Sequence, residues 1–222
     1  MSEPVVTRCA DAAEAARRAA EVLAAAIDAA RVIRGEAHVA LSGGSASAAY
    51  DVLGPLLPDW RDVHLWYGDE RIVPLDDSES NHRLATEHLV APDATWHPVP
   101  TELGTEGAAA AYTEELDGTV LDVTLNGMGP DGHTASLFPG FPQVTAEGIC
   151  LPVHDSPKPP SDRVTLTLPK LNESRRLILL AAGAAKAPLL ARVLAGPDPA
   201  VPASLLDREK LEIITDAAAL DG

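Results

Sequence analysis

Ala37-His38-Val39-Ala40-Leu41-Ser42-Gly43-Gly44-Ser45 opens the stretch that decides the fold. Residues 37–41 read as a short apolar strand, and Ser42-Gly43-Gly44-Ser45 as the turn that leaves it. A helix is expected at residues 46–57, and Val63-His64-Leu65-Trp66-Tyr67 supplies a second strand. Strand, helix, strand is a βαβ crossover, which places its two strands parallel in one sheet. The alternation continues outward in both directions. Upstream, the Ala-rich residues 11–34 read as a long helix stopped by Gly35. Downstream, Ser80 caps a helix reaching residue 89, and another helix lies near residues 106–116. Strands are expected at residues 121–125, 149–153, 164–168, 177–182 and 211–215, with a helix at 184–194 and a stiff Pro-rich loop at 156–161. The pattern predicts one α/β domain, or one with a small appendage, built on a largely parallel sheet covered on both faces.

The chain has 222 residues and a formal net charge of −16, from 17 Lys and Arg against 33 Asp and Glu. Such a field repels nucleic acid and anionic membrane surfaces, so neither is expected as a partner. A small anionic substrate would need a local cluster of cations, and the chain has only four lysines, at 158, 170, 186 and 210. Cys9 and Cys150 form neither a metal spacing nor a disulfide framework, which fits a reducing cytoplasm. No signal-peptide pattern opens the chain, and no apolar run is long enough to span a bilayer.

The strand at 121–125 is followed by Asn126-Gly127-Met128-Gly129-Pro130-Asp131-Gly132-His133-Thr134. A loop at a strand's C-terminal end lies where open α/β sheets bind ligands. Its glycines let backbone N–H groups approach a ligand closely, and Asp131 stands two residues before His133. A carboxylate beside an imidazole suggests a general base with an orienting partner. Residues 127–132 also match the dinucleotide fingerprint G-x-G-x-x-G. That fingerprint must open a long helix, however, and Pro139-Gly140 leaves barely two turns here, so no dinucleotide cofactor is expected. The other histidines, at 38, 64, 82, 88, 97 and 154, form no metal-ligand pair along the sequence, and no metal is expected either.

Further anion sites can be read locally. Gly43, Gly44 and Ser45 join a strand to a helix, where free N–H groups and the helix N-terminus seat a phosphate. Gly68-Asp69-Glu70-Arg71 leaves the strand at 63–67 as a charged loop, and the planar fork of Arg71 suits phosphate or carboxylate. Asn81 and His82, ten residues on, are candidates for the same rim. Lys158 and Arg163 flank the Pro-rich loop. Lys186 sits near a helix start, an unfavourable end for a cation unless an anion binds there.

Taken together these motifs resemble the 6-phosphogluconolactonase family, over nearly the whole chain. The resemblance is carried by Leu41-Ser42-Gly43-Gly44-Ser45, by Gly68-Asp69-Glu70-Arg71 with Val73-Pro74 and Ser80-Asn81, and by residues 127–139, which include Gly129. It continues through Lys158-Pro159-Pro160 with Arg163-Val164-Thr165, Gly183 with Lys186, and Pro202-Ala203-Ser204. Asp131-Gly132-His133-Thr134-Ala135-Ser136-Leu137-Phe138-Pro139 is its most specific segment. One departure is Ala46, where the family loop often has Thr.

The resemblance implies a single domain over residues 1–222 with a three-layer α/β/α modified Rossmann-like fold. It also implies a cytoplasmic hydrolase of the sugar-phosphate lactone of the oxidative pentose phosphate pathway, with no cofactor. Amino-sugar phosphate deaminases share the fold and the Asp-Gly-His loop, but follow it with Ile-Ala-Phe-Asn-Glu-Pro. Residues 134–139 here have no carboxylate at that Glu. The expected roles are His133 as base, Asp131 as its orienting partner, and Gly43, Gly44, Ser45, Asp69, Arg71, Asn81, Gly129, Lys158, Arg163 and Lys186 as substrate or phosphate ligands.

Overall fold

Apolar strands alternating with helices close into a seven-stranded sheet in the computed structural model, which describes residues 3–222. In chain order the elements are β1 (Val5–Cys9), α1 (Ala12–Arg34), β2 (Ala37–Leu41), α2 (Tyr50–Leu56), β3 (Val63–Tyr67), β4 (Asp69–Arg71), α3 (Asn81–His88), β5 (Thr95–Trp96) and α4 (Gly104–Leu116). Then come β6 (Val123–Gly127), β7 (Cys150–Val153), β8 (Arg163–Leu166), α5 (Leu168–Glu173), β9 (Leu177–Ala181), α6 (Ala187–Ala195), β10 (Leu211–Asp216) and α7 (Ala217–Leu220). The main sheet runs β1-β10-β9-β6-β2-β3-β5, every pair parallel. Helices flank it in the three-layer arrangement expected.

The strand order fixes where a ligand can bind. From β2 the chain steps outward through β3 to β5, then returns with β6 on the other side of β2 and moves outward again through β9 and β10. The direction of winding therefore reverses between β2 and β6. A crevice opens beyond the carboxyl ends of two strands at such a switch point. The Ser42–Ser45 turn leaves β2 and the Met128 loop leaves β6, so both glycine loops meet at that crevice.

Local chemistry explains most element ends. Asp11 caps α1 by accepting from the Glu14 N–H at 2.8 Å, and the Glu14 carboxylate accepts from the Ala10 N–H just before the cap. Gly35, at φ +88°, ends that helix in the left-handed conformation that only glycine adopts without strain. Ala15, Ala19, Leu23, Ile27 and Ala30 bury one face of α1 against β2, β6, β9 and β10.

Several expectations need correction. The charged run after β3 is not a plain loop: Asp69–Arg71 forms β4, antiparallel to β8, in a second sheet ordered β4-β8-β7. The expected helix at 46–57 begins as a 3₁₀ turn over Gly44–Ala49 before α2, and that at 184–194 as a 3₁₀ turn over Ala184–Lys186 before α6. The strand expected at 121–125 runs from Val123 to Gly127, because Asn126 and Gly127 still pair with Leu179 and Leu180 of β9. The strand expected to reach residue 168 stops at Leu166, where the Thr167 hydroxyl caps α5. β1 and β5, both sheet edges, were not anticipated.

Candidate active site

Gly129 and Gly132 shape the loop after β6. Gly132 has φ +87°, and its N–H donates to the Gly129 carbonyl at 3.1 Å. The Gly129 N–H donates to the His133 carbonyl at 2.8 Å, so the loop curls back on itself. This brings the His133 imidazole beside the Asp131 carboxylate, with Nδ1 2.5 Å from Oδ1. The carboxylate accepts a hydrogen bond from Nδ1–H, which leaves Nε2 as the nitrogen with the free lone pair. The ring packs on Phe138, with centroids 4.6 Å apart. Burial holds the His133 pKa below its ordinary value, and Asp131 offsets only part of that. Burial also pushes Asp131 upward, but the charge and hydrogen bonds of His133 carry it below the usual carboxylate value. The shift favours the neutral imidazole, and the carboxylate orients the ring from behind.

A cavity of about 300 Å³ opens in front of this pair. Gly43, Gly44 and Ser45 line it from the β2 side; Asp69, Arg71 and Asn81 line it from β4 and α3. Gly129 and His133 form part of its wall, with Lys158, Arg163 and Lys186 around it. Asp131 lies behind the lining, held against His133. His82 is not brought to the cavity: its Nδ1 meets the Tyr67 hydroxyl at 2.7 Å and its ring sits between Tyr67 and Trp96.

The polar side chains are held before any ligand arrives. Asp69, 6 % exposed, accepts from the Ser136 hydroxyl at 2.6 Å and from Asn81 Nδ2 at 3.3 Å. Asn81 Nδ2 also donates to the Asp69 carbonyl at 2.8 Å. The guanidinium of Arg163 lies over the Phe138 ring, 5.7 Å from its centroid, and donates to the carbonyls of Lys158, Pro159 and Pro160. It therefore ties down the loop that carries Lys158. Lys186 Nζ donates to the Met128 carbonyl at 2.5 Å, and burial together with the neighbouring Lys158 lowers its pKa. Lys158 and Lys186 thus both bring their amino side chains to the cavity lining.

Sequence reasoning missed Ser136, which touches Asp69 and not the cavity, and Ala135, which lines the cavity with φ +48°. Nothing in the local sequence marks Ala135 as a left-handed residue. It also missed a histidine cluster at the opposite end of the sheet. The β2–β3 register sets His38 beside His64, and with Glu36 their ligand atoms lie within 4.8 Å of one another. The tautomers argue against a metal there. The Trp66 indole N–H donates to His38 Nδ1 at 3.0 Å, so the proton sits on Nε2, the nitrogen that faces Glu36. His64 Nδ1 meets His97 Nε2 at 2.9 Å, and His97 Nδ1 meets Glu115 at 2.6 Å, a hydrogen-bonded chain in place of converging lone pairs.

Residues 10–215 match the family model of glucosamine-6-phosphate isomerases/6-phosphogluconolactonase. The chain is 40 % identical to the 6-phosphogluconolactonase of Mycobacterium tuberculosis over 204 aligned residues, covering 82 % of this chain and 83 % of that one. Its fold is similar to the crystal structure of a 6-phosphogluconolactonase from Shewanella baltica, with a TM-score of 0.87 and 27 % identity over 97 % of this chain and 99 % of that one. A monomeric glucosamine-6-phosphate deaminase also shares the fold, at a TM-score of 0.85 but 20 % identity, over 98 % and 99 % of the two chains. Among the described residues no helix is long and apolar enough to cross a membrane.

Proposed function

The chain belongs to the glucosamine-6-phosphate isomerase/6-phosphogluconolactonase family, and from that premise we propose that it hydrolyses 6-phospho-D-glucono-1,5-lactone to 6-phospho-D-gluconate, with His133 as general base. The observation that carries this reading is the Asp131–His133 pair at 2.5 Å, set on a cavity wall that also holds Lys158, Arg163 and Lys186. A neutral imidazole beside a cationic seat suits an ester that carries a phosphate. The deaminase reading would need a carboxylate within residues 134–139, and there is none.

In the proposed reaction Nε2 of His133 takes a proton from water as the water oxygen bonds to the lactone carbonyl carbon. Such base catalysis contributes typically ~10²–10⁴-fold. Asp131 stabilises the imidazolium that forms. The tetrahedral oxyanion is held by Arg71 or by backbone N–H groups of the glycine loops. On collapse the ring oxygen leaves and takes the proton back from Nε2. The new carboxylic acid ionises at neutral pH, so each turnover releases one proton. Every step uses a group on this chain, and none is routed through a metal.

We assign the 6-phosphate to the Gly43-Gly44-Ser45 turn with Lys186 and Lys158, and Arg163 beside them. Asp69 and Asn81 face the sugar hydroxyls. The proposed setting is the cytoplasm and the oxidative pentose phosphate pathway, with no nucleic acid or membrane as partner. Comparing turnover of the phosphorylated lactone with that of glucono-δ-lactone tests the substrate assignment. A strong preference for the phosphorylated form supports it, and equal kcat/KM for the two would remove the phosphate seat.

A further inference from the structure

Glu70 takes no part in the chemistry above, yet it is fully buried beside the site, at 0 % exposure. Its partners are all neutral donors. Oε1 accepts from the backbone N–H groups of Arg71 at 2.8 Å and Asn81 at 2.7 Å. Oε2 accepts from the His82 N–H at 2.8 Å and the Ser80 hydroxyl at 3.1 Å. Asn81 and His82 are the first two residues of α3, whose N–H groups a helix cannot satisfy internally. Burial pushes the Glu70 carboxyl upward, and the three backbone donors oppose it. Burying a carboxylate is costly unless its hydrogen bonds are met. Ser80 caps α3 through the Arg83 N–H, which leaves the Asn81 and His82 N–H groups to Glu70.

What Glu70 does supply is a link between two segments. It joins β4, whose Asp69 and Arg71 line the cavity, to the start of α3, whose Asn81 lines it too. We infer that Glu70 is a positioning residue: its buried carboxylate fixes β4 against the first turn of α3 and so holds Arg71 and Asn81 at the cavity wall. This rests on the lactonase reading for its kinetic consequence, but the link itself can be measured without turnover.

In the wild-type protein, amide exchange at Asn81 and His82 should be about ten-fold or more slower than at Ala12 and Ala13 of the α1 first turn. Equally fast exchange would overturn the link, whether or not any variant folds. In Glu70→Gln, one oxygen becomes an NH₂ that faces the His82 N–H. KM for the phosphorylated lactone should rise about ten-fold with kcat changed less than about three-fold. In an Arg71→Ala/Asn81→Ala background the same substitution should add less than about two-fold, because it acts through those residues. A folded Glu70→Gln with wild-type KM, or an undiminished effect in that background, contradicts the inference. If the wild-type chain shows no turnover, the lactonase reading fails instead. Calorimetric binding of 6-phosphogluconate then takes the place of KM: about ten-fold weaker binding to Glu70→Gln supports the link, and unchanged binding sinks it.

Discussion

Gly129 lies so close to the His133 imidazole that a Cβ at position 129 would fall 2.1 Å from Cε1 and 2.2 Å from Nδ1. It would also come within 2.7 Å of Asp131 Oδ1. The glycine is therefore required by the Asp131–His133 pair itself, and the absence of a side chain there is a condition for the pair to form.

Gly129→Ala should displace the ring from Asp131 without touching the core. We expect kcat to fall by about 10²-fold or more, with KM changed little. Thermal unfolding should move far less than it would for a core cavity. Steady-state kinetics beside a melting curve checks both. A variant with wild-type kcat would mean the ring has room that the structure denies it.

The pH profile follows from the direction of the His133 shift. Its pKa is lowered from the ordinary value of 6.5, chiefly by burial, so the base stays unprotonated below that pH. The acid limb of kcat/KM should therefore lie below pH 6.5. Asp131 raises the His133 pKa, so Asp131→Asn should move the limb to still lower pH while reducing kcat. A limb that moves upward in this variant would contradict the pairing.

Lys186→Ala should act on binding. Charge-assisted hydrogen bonds contribute about 1.5–3 kcal/mol, or roughly 10–150-fold in KM for the phosphorylated lactone. Turnover of the unphosphorylated lactone should barely change. Equal losses on both substrates would place Lys186 at the lactone end.

The parts of the site written in contiguous residues could be read from the sequence. The β2 turn and the Asp131–His133 loop each carry their chemistry within a few positions, and the βαβ unit betrays itself by its apolar runs. Long-range pairing could not be read. Asp69–Arg71 is a strand only because Thr165, Val164 and Arg163 arrive to pair with it. Asn126 ended the apolar run at residue 125, yet it stays in β6 because its side chain donates to Thr124 Oγ1 at 2.8 Å and to the Ile178 carbonyl at 3.1 Å. His38 and His64 meet through sheet register, which no spacing along the chain discloses.

The most direct test of the central claim is proton release on adding freshly generated 6-phosphoglucono-δ-lactone, corrected for spontaneous hydrolysis, to the wild type and to His133→Ala. The account predicts fast release by the wild type and a loss of about 10²-fold or more in the variant, with the phosphorylated lactone strongly preferred. Release at the wild-type rate from His133→Ala would contradict the base assignment, and no release above background from either protein would contradict the lactonase.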